Sequence, residues 1–376
     1  AVHAVSSTIS SHFSNFHDNA VGSVDSPSLN SRGGAIALIS SRLLSFDDTW
    51  VNNAAVSSGE IPDASPQGGG ALFAFDSFVF LYGLLCANNS AVFGGCVAVQ
   101  SVRQYTLDGF GYLQAARLSI RTSLDSVRNS TFIGNQAVTT GGAVFVQFCD
   151  AVTLQNVVFE RNDAGTLGGG VFLEGTMLTN SGVQLVENIA SAGAGLFWRY
   201  SNDFALYPVP NWNVSHQQQS NTSCRYGPTV ASDGMRLTFL NPQLSDVLFT
   251  PGVIMDPAPS FAIQDFHWQV VATDDTSLVS VGPPGYFDGT NIVAADFGIV
   301  TFSSLIPTLP PSSNFTAYFT LRFEASIGGT CLLYSVTVFD SFFVTNVSTM
   351  RSAGCGGQHS LRSLPKWHSM AVSYTH

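Results

Sequence analysis

Lysine is almost missing from these 376 residues: Lys366 is the only one, and charged residues of every kind make up 10%, against about 25% in an ordinary soluble protein. Lys+Arg number 14 against 25 for Asp+Glu, a formal net charge of −11, so the basic footprint that nucleic acid or an anionic membrane needs is absent. Neither partner is expected. Long apolar runs are scarce as well. Hydrophobic residues reach 45%, yet the longest apolar run, Phe78 to Ala87, is about half the roughly 18 residues of a membrane-crossing helix. No membrane span is expected, and the apolar residues belong to a core. A surface so poor in charge depends on Ser, Thr and Asn, and on sugars attached to them, for its hydration.

Signatures of chemistry are equally few. The six cysteines, Cys86, Cys96, Cys149, Cys224, Cys331 and Cys355, contain no CxxC pair, which removes zinc-ribbon and thioredoxin-like readings. An even count in an acidic chain points to an oxidising, extracellular compartment and to disulfides. Proximity pairs Cys86 with Cys96 and Cys331 with Cys355. The start at Ala1, without Met or a signal-peptide pattern, reads as a processed secreted protein or a piece of a longer one. There is no GxSxG nucleophile elbow. The glycine runs Gly68 to Gly70 and Gly168 to Gly170 lack the lysine and helix of a phosphate loop. His12, His17 and Asp18 form the one tight group of metal-ligand types, at a spacing foreign to HExxH or a calcium loop. No metal, cofactor or catalytic residue is expected.

What the sequence does have is a repeat. A large apolar residue is followed three positions on by Asn, then by a small or apolar residue: Phe16/Asn19, Trp50/Asn53, Cys86/Asn89, Phe132/Asn135, Phe159/Asn162 and Leu185/Asn188. After each comes a glycine pair or near-pair with a short apolar segment: Gly33-Gly34-Ala35-Ile36, Gly69-Gly70-Ala71-Leu72, Gly94-Gly95-Cys96-Val97, Gly141-Gly142-Ala143-Val144, Gly169-Gly170-Val171-Phe172 and Gly193-Ala194-Gly195-Leu196. Short segments such as Val152 to Phe159 are rich in β-branched and aromatic residues and bounded by Gly or Asn, which predicts strands. Such a unit cannot bury its own apolar face, so it stacks on copies of itself, about 4.8 Å apart. The expected fold is a parallel β-helix over 1–205. The apolar residue of each motif faces inside, and Asn19, Asn53, Asn89, Asn135, Asn162 and Asn188 form a hydrogen-bonded ladder at one corner. The glycines supply a positive φ or close backbone approach. Arg161 and Glu187, just before their asparagines, are expected to meet as a surface ion pair on adjacent coils.

These paired FxxN and GGAI-type repeats, over about residues 10 to 200, resemble those of the chlamydial polymorphic outer membrane proteins and of related β-helix surface proteins of algae and protists. Phe16 to Asn19, Gly33 to Ile36, Phe132 to Asn135 and Gly141 to Val144 carry the resemblance best. It implies a right-handed parallel β-helix displayed outside the cell, used in adhesion or surface structure. The bacterial members end in a membrane barrel, for which no series of alternating ten-residue segments is found here, so the eukaryotic branch is the better fit.

Residues 206–228 are polar, marked by proline and free of the pattern, and read as a linker. Beyond them, strands are predicted at Arg236 to Leu240, Phe266 to Ala272, Leu278 to Val281, Ile299 to Phe302, Phe315 to Ala325 and Leu332 to Phe339. Strict alternation from Ala317 to Ala325 implies one buried and one wet face. Together they predict an immunoglobulin-like β-sandwich over 229–350, with a tail of unassigned structure over 351–376. Asn-x-Ser/Thr sequons at Asn88, Asn129, Asn213, Asn221, Asn314 and Asn346 are candidate glycosylation sites.

A β-helix also carries polysaccharide lyases and hydrolases, which need grouped carboxylates. Glu160, Asp163, Glu174 and Glu187 alternate with other residues, and Asp47-Asp48 stands isolated in an insertion, so a polysaccharide enzyme is the weaker reading. A solenoid has two open ends, and ends that stack head to tail propagate a fibre. The sequence therefore points to a non-enzymatic extracellular glycoprotein that self-associates into a cell-surface filament or coat, with a monomeric adhesin for carbohydrate or protein as the alternative.

Overall fold

The computed structural model describes residues 1–21, 33–55, 68–101, 104–107, 113–116, 123–199, 218–234, 236–241, 252–282, 287–308, 317–327 and 330–340; for 104–107, 113–116, 123, 218–219 and 317–340 it describes the backbone alone. Among these residues every element is a strand. The chain divides into two compact units, Ala1–Ser232 and Asp233–His376.

In the first unit the chain runs through four parallel sheets in turn and then begins again. The second coil shows the pattern: Ile36–Ile39 in the first sheet, Arg42–Phe46 in the second, Thr49–Val51 in the third and Ala54–Ala55 in the fourth. Register is kept from coil to coil in the first and third sheets, as in the first-sheet column Val2, Ile36, Leu72, Val97, Val144, Val171, Leu196 and Val230, while the second and fourth sheets shift register at some pairs. The third sheet aligns Phe16, Trp50, Cys86, Phe132, Phe159 and Leu185, and from Trp50 onward this column is wholly buried. Phe132 and Phe159 stack with centroids 5.0 Å apart. No coil could bury these rings alone. Each becomes buried only when the next coil is laid down, which is why the repeat must be copied to be stable.

The strands are short because each ends at a sharp bend, and the bends have one cause. At every corner a residue takes the left-handed region that L-residues avoid. Ser6, Ser40, Asp76, Phe148 and Gly175 turn the first corner, and Phe13, Asp47, Gly83, Asn129, Asn156 and Gly182 the second. Asp18, Asn52, Asn88, Gly134, Arg161, Glu187 and Ser220 turn the third, and Gly33, Gly69, Gly94, Gly141, Gly168, Gly193 and Gly227 the fourth. Three corners thus tolerate side chains at a conformational cost. Glu187→Gly, which copies what Gly134 already does in that column, is expected to stabilise the chain by about 0.5–1 kcal/mol. A denaturation midpoint that falls would contradict this account of the corner.

The sequence expectation needs four corrections here. The solenoid does not stop at residue 205: Gln218–Gln219, Thr222–Tyr226 and Val230–Ser232 extend the third, fourth and first sheets, so residues 218–228 of the proposed linker belong to the solenoid. In the sixth coil the glycine pair is Gly168-Gly169, since Val171 aligns with Val144 and Gly168 carries the positive φ. Asp47-Asp48 sits at a regular corner, with Asp48 buried inside the solenoid. Arg161 pairs with Glu160 of its own strand region at 2.8 Å, not with Glu187.

From the second coil on, both faces of the first sheet are largely buried. Val144 and Val146 point inward, and by alternation Phe145 points outward with Gln147, whose Nε2 donates to Glu174 Oε2 on the next coil at 2.9 Å. On that outer face Phe145, Phe172 and Phe197 form a buried stack with centroids 5.2 and 6.0 Å apart.

The second unit is antiparallel. Arg236–Phe239, Ser260–Gln264 and Ile299–Thr301 form one sheet, and Ile292–Ala294, Leu278–Gly282, Ala317–Ile327 and Thr330–Asp340 another. Leu237, Phe261, Ile263, Val279, Val300 and Phe302 are buried in it. The predicted strand Phe266 to Ala272 is instead a tight turn. Asp265 Oδ1 accepts from the backbone N–H of His267 (2.8 Å) and of Gln269 (2.9 Å), and this local bonding outcompetes the extended form that the aromatic run favours. The predicted tail 351–376 lies outside the described residues.

Candidate functional site

The inward residue just after each corner is where the solenoid concentrates its polar groups. At the third corner Asn19, Asn53, Asn89, Asn135, Asn162, Asn188 and Asn221 form an unbroken ladder. Each Nδ2 donates to the Oδ1 of the next rung at 2.9–3.0 Å. Each of those Oδ1 atoms also accepts the backbone N–H of the rung before it, at 2.8–3.2 Å. The second amide hydrogen reaches backward to a carbonyl on the previous coil, as from Asn135 to Cys86 O (3.1 Å) and from Asn162 to Phe132 O (3.0 Å). Asn53, Asn135, Asn162 and Asn188 are fully buried. A bend breaks the regular backbone pairing inside an apolar core, and the side-chain amide restores it with both a donor and an acceptor.

Two further polar columns serve the same end at other corners. At the first, Ser7 N–H donates to Ser41 Oγ (3.1 Å), Ser41 N–H to Ser77 Oγ (3.0 Å) and Cys149 N–H to Thr176 Oγ1 (3.2 Å). Each hydroxyl donates in turn to the carbonyl two residues before it, Ser41 to Ile39, Ser77 to Phe75 and Thr176 to Glu174. At the second, Ser14 N–H donates to Asp48 Oδ1 (2.8 Å) and Leu84 N–H to Ser130 Oγ (3.1 Å), while Ser45 Oγ donates to Asp48 Oδ2 (2.7 Å).

At the fourth corner the glycine pair divides the work. The first glycine has the positive φ; a Cβ on the second would strike the backbone of the next coil. Built on Gly34, Gly70, Gly95 or Gly142, it would lie 2.0–2.2 Å from a carbonyl oxygen of the following copy. Ala194 takes this place in the seventh coil, where the following copy reads Gly227-Pro228.

Cys86 and Cys96 form a disulfide, with Cys86 in the column otherwise held by Phe, Trp and Leu. Cys149 and Cys224 are free thiols, one buried and one exposed, which removes both from the disulfide candidates. Burial pushes the Cys149 thiol well above its ordinary range, and Asp150 adds to the rise. The Cys331 and Cys355 side chains lie outside the described residues.

Asn88 and Asn129 are exposed corner residues, open to glycosylation. Asn221 is not: it is a rung of the ladder, its Oδ1 taking two bonds from Asn188 and its Nδ2 donating to Leu185 O at 2.9 Å. A sugar on Asn221 would have to leave through the wall of the coil. Asn213, Asn314 and Asn346 lie outside the described residues.

The expected carboxylates are not gathered. Glu174 belongs to the first sheet, Glu160 to the third and Asp163 to the fourth, while Glu187 is a third-corner residue. His12 stacks on Phe46, ring centroids 4.7 Å apart, away from His17, whose Nδ1 meets Asp18 Oδ2 at 3.1 Å. Hydrogen bonds from His17 and Asn52 hold the Asp18 carboxyl below its ordinary value. No group of three or more metal-ligand side chains occurs among the described residues, and no helix there is long and apolar enough to cross a membrane.

Val2–Val5, Thr8–His12, Asn15–His17 and Ala20–Val21 each form the edge of their sheet. Phe16 is half-buried where Trp50, its counterpart one coil on, is fully covered. Val2, Val5 and Phe13 are exposed, Phe13 to 79%.

No protein-family model, no curated protein and no solved structure matches the chain.

Proposed function

We propose that the chain is a non-enzymatic, extracellular structural glycoprotein that self-associates into a cell-surface filament or coat. The observation that carries this reading is the stacking itself: coil is laid on coil through four parallel sheets, an arrangement that a coil of a second copy can extend. The edge of a sheet is a template for another chain. If about 400 Å² of apolar surface is covered in such a contact, roughly 10 kcal/mol is gained at 25 cal/mol per Å², against an association cost of about 4–15 kcal/mol. The open Asn88 and Asn129, the buried disulfide and the scarcity of lysine support an extracellular glycoprotein. In the same reading the solenoid winds right-handed, the hand that parallel crossovers favour. The two larger antiparallel sheets of the second unit then pack as an immunoglobulin-like sandwich.

The purified 376-residue chain is expected to sediment as a concentration-dependent series of oligomers. Val5→Lys with Phe13→Lys, both at exposed positions, is expected to leave the fold intact and hold it as a monomer. An unmodified chain that stays monomeric up to high concentration would defeat the proposal.

One observation favours the second reading, a monomeric adhesin. The outward residues of the second sheet in coils two and three are Leu44, Phe46, Phe78, Phe80 and Tyr82, none of them fully buried, which makes an aromatic flank on an otherwise polar wall.

A further inference from the structure

We propose that the turn at 265–269 of the second unit is a saccharide-binding site, with the Trp268 indole as the stacking platform for a pyranose ring. The site stands apart from the filament reading and does not depend on it.

Trp268 is 61% exposed and has a φ of 65°. A large aromatic ring in water and a bulky side chain in the left-handed region are each unfavourable, and both together persist only where the surroundings impose them. The surroundings here are built to do so. The Asp265 carboxylate is fully buried; besides the two backbone N–H groups it receives Gln269 Nε2 on Oδ2 at 3.1 Å. Trp268 N–H closes the turn on Asp265 O at 3.2 Å, and Asp265 N–H bonds Gln269 O at 2.9 Å. Arg236, from the neighbouring strand, lies over the indole with Cζ 3.9 Å from the ring centroid. Its Nη1 donates to Phe266 O at 3.2 Å. Burial lowers the His267 pKa; the nearby Asp265 opposes this and Arg236 adds to it.

An exposed indole with a guanidinium's N–H donors beside it matches a sugar, whose ring offers C–H groups on one side and hydroxyls around its edge. The adjoining turn carries a second aromatic of the same kind. Phe297 is 58% exposed with a φ of 47°. The neighbouring Gly298 accepts from Ile263 N–H and donates to Asp274 O, both 2.7 Å, residues that flank the 265–269 turn on either side. Two such rings on neighbouring turns suit an oligosaccharide better than a single sugar.

The test uses the full chain with cellohexaose, laminarihexaose, xylohexaose and hexagalacturonate as probes, by saturation-transfer NMR and calorimetry. At least one probe is expected to bind, with affinity reduced tenfold or more in Trp268→Ala and in Trp268→Gly. Glycine accepts the backbone angle freely, so Trp268→Gly is expected to raise Tm while it removes binding, which separates loss of the platform from loss of the fold. Arg236→Ala is expected to weaken binding to a lesser degree. Failure of all four probes to bind, or binding untouched by both Trp268 variants, overturns the site. If the Trp268 variants change sedimentation and not sugar binding, the ring is a protein contact and the proposal is also overturned.

Discussion

Asn135→Ala is expected to destabilise the first unit by about 3–5 kcal/mol, far more than the loss of one exposed polar group. The substitution takes away the acceptor for the Asn89 N–H and Asn89 Nδ2, and the donor to Cys86 O and Asn162 Oδ1. All of these lie in a buried stretch of the ladder, where a polar group left without a partner costs about 1–3 kcal/mol. Water can enter at the end rung but not in the middle. Asn19→Ala, in the first coil and only part-buried, is therefore expected to cost under about 1 kcal/mol. Urea denaturation followed by circular dichroism measures both. Equal effects at the two rungs would show that the ladder is not acting as a buried network.

The second large effect concerns a methyl group. In Gly142→Ala the added Cβ would lie 2.0 Å from Gly169 O and 2.7 Å from Asp163 O. Both are backbone atoms with no rotamer by which to move aside, so two coils must separate locally, at an expected cost of about 2–4 kcal/mol. Gly134→Ala is the contrast. There the Cβ would meet only the Asn88 side chain, 2.7 Å from its Oδ1, and Asp18 and Arg161 already hold side chains at the same corner. Its cost is expected to be about 1 kcal/mol, the conformational penalty alone. Thermal denaturation of the pair distinguishes close approach from backbone strain; similar losses in both would mean that the second glycine has no packing role.

How much of this was legible depended on whether a residue's place betrayed its neighbours. An asparagine recurring after a large apolar residue is out of character in a core, and the ladder could be read from that alone. Asn221 escaped because Gln218 stands where Phe, Trp or Leu introduces the other rungs. The glycine six residues later, Gly227, kept the spacing seen from Asn135 to Gly141 and was the available signal. The hydroxyl columns escaped for a different reason. Serine is common throughout this chain, and the columns are interrupted by Cys149 and Leu84, so no single residue type repeats. Phe145, Phe172 and Phe197 occupy an outward column that alternation marks as wet, and a strand pattern carries no information on what lies over its outer face. In the second unit five of the expected strands fall within two residues of where they stand, while Ser260–Gln264, Phe287–Asp288, Ile292–Ala294 and Ile306–Pro307 escaped. Phe266 to Ala272 failed because one carboxylate, Asp265, captures the amides that a strand would have shared.

Electron microscopy of native material over a dilution series tests the central claim, that the solenoid of one copy stacks on that of the next, most directly. The account predicts regular filaments of 40 kDa-class subunits whose axial diffraction carries the roughly 4.8 Å strand spacing, dissolving only on extensive dilution. Discrete, unassociated particles at every concentration would contradict it.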